Sequence, residues 1–107
     1  MAKIRENQGK QEQNMANTVS KGTLAVILSK LKVFCEAKVS QEQYPTDSQI
    51  AADVLHKASI LGDFADKTVV DLGAGTGTLG IGTLLLGAKK IFFIEKDNSA
   101  LEICKEN

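Results

Sequence analysis

Three glycines at alternate positions, in Asp71-Leu72-Gly73-Ala74-Gly75-Thr76-Gly77, constrain this chain more than any other feature of its sequence. Glycine takes left-handed backbone angles without steric cost and lets another molecule approach the main chain closely, so this stretch demands a sharp turn with an open surface. The turn completes Thr68-Val69-Val70-Asp71-Leu72, a short β-branched run of the kind that becomes a buried parallel strand. After it, Leu79, Ile81, Leu84, Leu85 and Leu86 predict a largely buried helix stopped by Gly87. Lys90 to Ile94 reads as a second apolar strand, and Ser99 to Glu106 has helical propensity, with Ala100, Leu101, Ile103 and Cys104 available to face inward. Strand, helix, strand, helix in that order opens a parallel α/β unit with right-handed crossovers.

Two further helices are predicted upstream. Between Thr23 and Phe34, Leu24, Ile27, Leu28, Leu31 and Phe34 recur at helical spacing, with Ser29, Lys30 and Lys32 opposite. Pro45 biases Tyr44 towards an extended conformation, and a second helix starts after it, capped by Thr46 or Asp47. Ile50, Ala51, Val54, Leu55, Ala58 and Leu61 form its apolar stripe, which ends at Gly62. Residues 1–22 are rich in Gln, Asn, Lys and Glu without a sustained apolar period, which predicts a mobile polar tail ahead of one folded unit spanning 23–107.

Composition narrows the function classes. With 13 basic and 13 acidic residues the formal charge is zero, so there is no strong electrostatic footprint for nucleic acid, and charge alone does not decide the substrate. No apolar run approaches the roughly eighteen residues of a membrane span, and the N-terminus lacks the apolar core of a signal peptide, which together predict an intracellular protein, cytoplasmic or nuclear. Cys35 and Cys104 stand far apart with no CxxC or Cys/His cluster, so neither a disulfide framework nor a zinc site is expected. His56, the only histidine, has no ligand-spaced companion and reads as a surface side chain.

The glycine spacing carries the chemistry. A dinucleotide fingerprint is GxGxxG, whereas here the pattern is GxGxG, with Thr78 where the third glycine would fall. That favours a ligand without a diphosphate. Asp71 at the head of the turn suits a cationic ligand carrying an amino group, which points to S-adenosylmethionine. Glu95 follows the second strand, 95 − 73 = 22 residues beyond the first glycine, close to the roughly 20 at which a carboxylate accepts hydrogen bonds from ribose hydroxyls. Asp97 fits the N-cap of the last helix better than a ligand contact.

Several segments together resemble a known family. Glu42-Gln43-Tyr44-Pro45-Thr46, Ile50-Ala51-Ala52, Val70 to Gly77, Leu86-Gly87-Ala88, and Asp97 with Ala100-Leu101 are similar to the predicted archaeal RNA methylases and their eukaryotic relatives, which modify an adenine in small-subunit ribosomal RNA. The resemblance covers about residues 31 to 107. It implies the N-terminal portion of a Rossmann-like class I S-adenosylmethionine-dependent methyltransferase, an α/β fold whose parallel sheet is incomplete in this chain. It also implies a cofactor set of Gln43, Tyr44, Thr46, Asp71, Leu72, Gly73, Gly75, Gly77, Glu95 and Lys96, with Gln43, Tyr44 and Thr46 at the methionine end and Glu95, where relatives usually have Asp, on the ribose. The partners it implies are an RNA substrate and a small zinc-binding activator subunit.

In that family the chemical step depends on an Asn-Pro-Pro-aromatic motif that has no counterpart in residues 1–107, so no catalytic residue is assigned and the chain is expected to be part of a longer enzyme. Direct displacement at an already activated sulfonium methyl needs alignment and acceptors for developing charge rather than a metal. The alternatives are a non-catalytic cofactor-binding remnant, a protein-methylating relative and, disfavoured by Thr78, a nicotinamide-dependent oxidoreductase.

Overall fold

The computed structural model describes the backbone of residues 2–6 and all atoms of residues 19–33 and 46–107. Its elements are β1 (Ala2–Glu6), α1 (Lys21–Ser29), α2 (Ser48–Ile60), β2 (Thr68–Leu72), α3 (Thr78–Leu85), β3 (Lys90–Ile94) and α4 (Asn98–Glu106). Both strands of the glycine-turn unit fall where the β-branched run and the apolar run place them, but β2 is exposed on one face and half-buried on the other rather than buried. They pair in parallel, Thr68 opposite Lys90 through Leu72 opposite Ile94, with α3 as the crossover.

Local chemistry sets the helix starts. Ser20 caps α1 by accepting from the Thr23 N–H at 3.2 Å. Of the two candidates for α2 the cap is Asp47, which accepts from Gln49 and Ile50 at 2.9 and 3.0 Å. Asp97 caps α4 through the N–H groups of Ser99 and Ala100, as its position in the sequence predicts.

Ile81 of α3 packs with the fully buried Ile91 and Phe93 of β3 and with Cys104 of α4, and Val69, Leu84 and Leu85 border this cluster. A second cluster joins Leu24, Ala25 and Leu28 of α1 to Ala51, Ala52 and Leu55 of α2 and to Leu86. Two glycines inside α3 make these layers possible. A Cβ at Gly80 would run into the Phe93 ring and lie 2.8 Å from Ile91 Cδ1, and one at Gly82 would collide with Leu55. Gly80 therefore sets how closely α3 lies on β3, and Gly82 how closely α2 lies on α3.

Four further expectations are corrected. Ala2–Glu6, inside the expected mobile tail, forms β1 and pairs antiparallel with β3, Ala2 opposite Ile94, giving a three-stranded sheet of order β1-β3-β2. Main-chain pairing along an open strand edge is satisfied by backbone groups alone and leaves no apolar period in so short a segment. The predicted α2 stripe is rotated: Ala51, Ala52 and Leu55 are buried, but Ile50, Val54 and Leu61 are 61%, 59% and 72% exposed. Small alanines permit the close approach to α1 that the branched residues beside them would block. Leu79 is likewise exposed, on the first turn of α3 away from the sheet. His56 is half-buried rather than fully solvated.

The opposite sheet face is open. Val70 and Leu72 are 53% and 78% exposed, and no strand among the described residues pairs with the outer edge of β2.

Candidate functional site

The turn between β2 and α3 lies at the C-terminal ends of the parallel strands, where open α/β sheets place their ligands. Its backbone is left-handed at each glycine, with φ of 72° at Gly73, 58° at Gly75 and 94° at Gly77. Among the described residues, no atom other than those of the glycine itself and its chain neighbours lies within 4 Å of where a Cβ would stand on Gly73 or Gly75, which leaves room for a ligand over these two residues. Gly77 differs: a Cβ there would lie 2.7 Å from Cys104 Sγ, so this glycine serves packing against α4.

Several of the bonds that shape the turn come from the end of β3 or from the turn itself. The Gly73 and Ala74 N–H groups both donate to the Ile94 carbonyl, at 2.9 and 3.0 Å, and Gly77 N–H donates to the Ala74 carbonyl at 2.9 Å. Glu95 reaches across from the first residue after β3. Its Oε1 accepts from Gly75 N–H and its Oε2 from Asp97 N–H, each at 2.8 Å. One carboxylate thus ties the ligand-facing turn to the start of α4. A carboxylate can accept about four hydrogen bonds, and orientation by backbone donors fixes where its remaining lone pairs point.

Asp71 Oδ2 accepts from Gly80 N–H at 3.0 Å, joining the end of β2 to the first turn of α3. Burial pushes the Asp71 carboxyl above its ordinary range; the Gly80 bond opposes this and the nearby charge of Glu95 adds to it. Two carboxylates beside one open turn create a locally negative site, suited to hydroxyl donors and to a cation.

The structure brings together Asp71, Gly73, Gly75, Gly77 and Glu95 of the expected cofactor set. Leu72 points to the open sheet face, Lys96 is exposed beyond Glu95, and Thr46 is exposed one residue before the α2 cap. Gln43 and Tyr44 lie outside the described residues. Sequence reasoning missed Gly80, although a glycine inside an apolar helix costs about 1 kcal/mol relative to alanine and so signals a packing reason. It also missed Asn107, for which the sequence carries no signal. Among the described residues there is no cluster of His, Cys, Asp and Glu that could hold a metal, and no helix long and apolar enough to cross a membrane.

Comparison with known proteins places this geometry. The family model for ribosomal protein L11 methyltransferase (PrmA) matches residues 49–107. An uncharacterized protein of Methanocaldococcus jannaschii is 42% identical over 89 residues, 83% of this chain and 40% of its own length. The rRNA N(6)-adenosine-methyltransferase METTL5 of Danio rerio is 37% identical over 81 residues, 75% of this chain and 39% of its own. Among solved structures, PH1948 of Pyrococcus horikoshii, provisionally named an RNA methyltransferase, superposes with a TM-score of 0.78 at 49% identity, covering 81% of this chain and 44% of that one. The chain spans about two fifths of the length of these three relatives. Its fold is the Rossmann-like α/β arrangement that these neighbours share.

Proposed function

Because the chain belongs to the methyltransferase family described as ribosomal protein L11 methyltransferase (PrmA), we propose that it forms the S-adenosylmethionine-binding half of an RNA methyltransferase acting on adenine in ribosomal RNA. The observation that carries the cofactor reading is the open glycine turn with Glu95 held against its Gly75 N–H. A flat nucleoside can approach Gly73 and Gly75 where no Cβ intervenes, and Glu95 is oriented to accept from ribose hydroxyls. Asp71 offers a carboxylate to the ammonium of the methionine moiety. When bound, the cofactor supplies a methyl group already activated by its positive sulfur.

The roles of this chain's residues are to bind and orient. Gly73 and Gly75 expose backbone, Glu95 sets the ribose, and Asp71 balances positive charge; Gly77, Leu72 and Lys96 flank them, and Gln43, Tyr44 and Thr46 belong at the methionine end by family resemblance. A dinucleotide would call on a third glycine at position 78 for close packing of the helix on the strand, whereas here Thr78 is buried and Gly80 provides that packing. The outer edge of β2, unpaired among the described residues, supports the reading that further strands, and with them the groups that hold the target base, complete the domain in the parent enzyme, and the exposed Val70 and Leu72 fit a further layer on that face. RNA is favoured over protein as substrate because the likeness to the zebrafish rRNA enzyme runs over 81 residues, against the 59 positions (107 − 49 + 1) of the protein-methylating family model. A zinc-binding activator subunit and a cytoplasmic or nuclear location belong to the same proposal.

Calorimetric titration with S-adenosylhomocysteine tests it, with NAD as the control ligand. Binding of the former alone, abolished by Gly75→Arg, is expected, since the arginine would occupy the open space at a positive φ. Preference for NAD, or affinity for S-adenosylhomocysteine unchanged by Gly75→Arg, would overturn the reading.

A further inference from the structure

Asn107 makes three hydrogen bonds with its carboxamide, all to main chain distant in sequence. Its Oδ1 accepts from Lys32 N–H at 2.8 Å, and its Nδ2 donates to the Lys32 carbonyl and to the Thr76 carbonyl, each at 2.9 Å. The first two bonds pair with Lys32 as a neighbouring strand would, two residues beyond the α1 C-cap at Lys30. The third reaches the centre of the glycine turn, where Thr76 is buried between Gly75 and Gly77.

The Thr76–Gly77 peptide is thereby held on both sides. Its carbonyl is fixed by Asn107, and its N–H, that of Gly77, donates to the Ala74 carbonyl at 2.9 Å. On the Gly77 side of this peptide, where φ is 94°, no Cβ restricts the backbone, so the peptide's orientation there rests on its hydrogen bonds. The preceding turn amide, Gly75 N–H, is held by Glu95. The residues bracketing α4 thus pin two successive parts of the turn, Glu95 from its N-terminal side and Asn107 from its C-terminal end. Asn107 also ties the turn to Lys32, where the chain leaves α1 towards the segment that contains Gln43 and Tyr44.

We infer that Asn107 is a positioning residue that sets the Thr76–Gly77 peptide, and with it the shape of the glycine turn, before any ligand arrives. Its consequence for binding rests on the cofactor reading above; its effect on the turn does not. Preorganisation raises affinity by removing an ordering cost from the binding step. A part-buried hydrogen bond of ordinary strength makes loss of the clasp about a three- to tenfold weakening of S-adenosylhomocysteine binding.

The test uses the 107-residue chain with Asn107→Ala and Asn107→Asp. The aspartate keeps the acceptor for Lys32 N–H but turns a carboxylate oxygen towards two carbonyls. Amide hydrogen exchange is followed at Gly75, Gly77 and the β2–β3 ladder in the unliganded protein, with Asp47→Ala as a variant that lowers stability from a remote helix cap. The expected result is faster exchange at Gly77 in both Asn107 variants beyond any change in the ladder, whereas Asp47→Ala moves turn and ladder together. Weaker S-adenosylhomocysteine binding should accompany it. Unchanged Gly77 protection relative to the ladder would overturn the inference even if the ligand binds. Failure of the wild-type chain to bind would refute the cofactor reading instead, and the exchange comparison would still decide the clasp.

Discussion

Replacing Gly80 by alanine sets two known effects against each other. Alanine is the better helix former by about 1 kcal/mol, so on local propensity Gly80→Ala should stabilise α3. The tertiary structure predicts the reverse. The new Cβ is placed by the backbone and cannot rotate away; it would meet the Phe93 ring and lie 2.8 Å from Ile91 Cδ1, and both of those side chains are fully buried. Adding a methyl group to a filled core costs about 1–3 kcal/mol, and immobile obstacles on two sides put this site at the upper end. Subtracting the propensity gain leaves a net loss of about 2 kcal/mol. For a domain of this size that corresponds to a drop in Tm of about 10 °C, measured by circular dichroism. Phe93→Leu should relieve part of the clash, so a double-mutant cycle should show coupling of at least about 0.5 kcal/mol. Gly80→Ala proteins as stable as wild type, or strictly additive effects with Phe93→Leu, would refute the close-packing account. Because Gly80 N–H also holds Asp71, a displaced α3 should loosen that bond as well.

Two other outcomes follow from the geometry. Burial raises the Asp71 pKa above 3.8, so the folded state binds this proton more tightly than the unfolded chain, and its contribution to stability falls as pH rises from about 3.8 through the folded value. Denaturation of wild type and Asp71→Asn across that window should show the difference between them, wild type minus variant, declining with pH; a difference that grows would contradict the assignment. Asp47→Ala should cost about 0.5–2 kcal/mol by leaving the Gln49 and Ile50 N–H groups without their side-chain cap, read by urea denaturation, and an unchanged midpoint would show that the cap contributes nothing.

Much of the framework was legible because it rests on local patterns. The runs Thr68–Leu72 and Lys90–Ile94 are short and β-rich, α2 and α4 carry capping aspartates at their starts, and left-handed turns need glycine. Those features depend on a few consecutive residues, and the sequence displays them directly. The position of Glu95 was legible for a similar reason, as its distance from Gly73 is the length of one strand-turn-helix-strand unit.

Faces and partners were decided by packing. Ile50 and Ala51 both fit an apolar stripe, but only the approach of α1 and α3 selects Ala51, Ala52 and Leu55 for burial and leaves Ile50 exposed. A spare main-chain edge on β3 recruits Ala2–Glu6, a choice made by backbone pairing that side-chain periodicity cannot record. Asn107 meets Lys32 and Thr76 across 75 and 31 residues, and Glu95 meets Gly75 across 20. The sequence by itself therefore determined the strand-helix-strand-helix unit and its turn, because backbone geometry there is set by neighbouring residues. Which side chains hold that turn in place was decided only by tertiary structure, because hydrogen-bond partners are chosen by proximity in space.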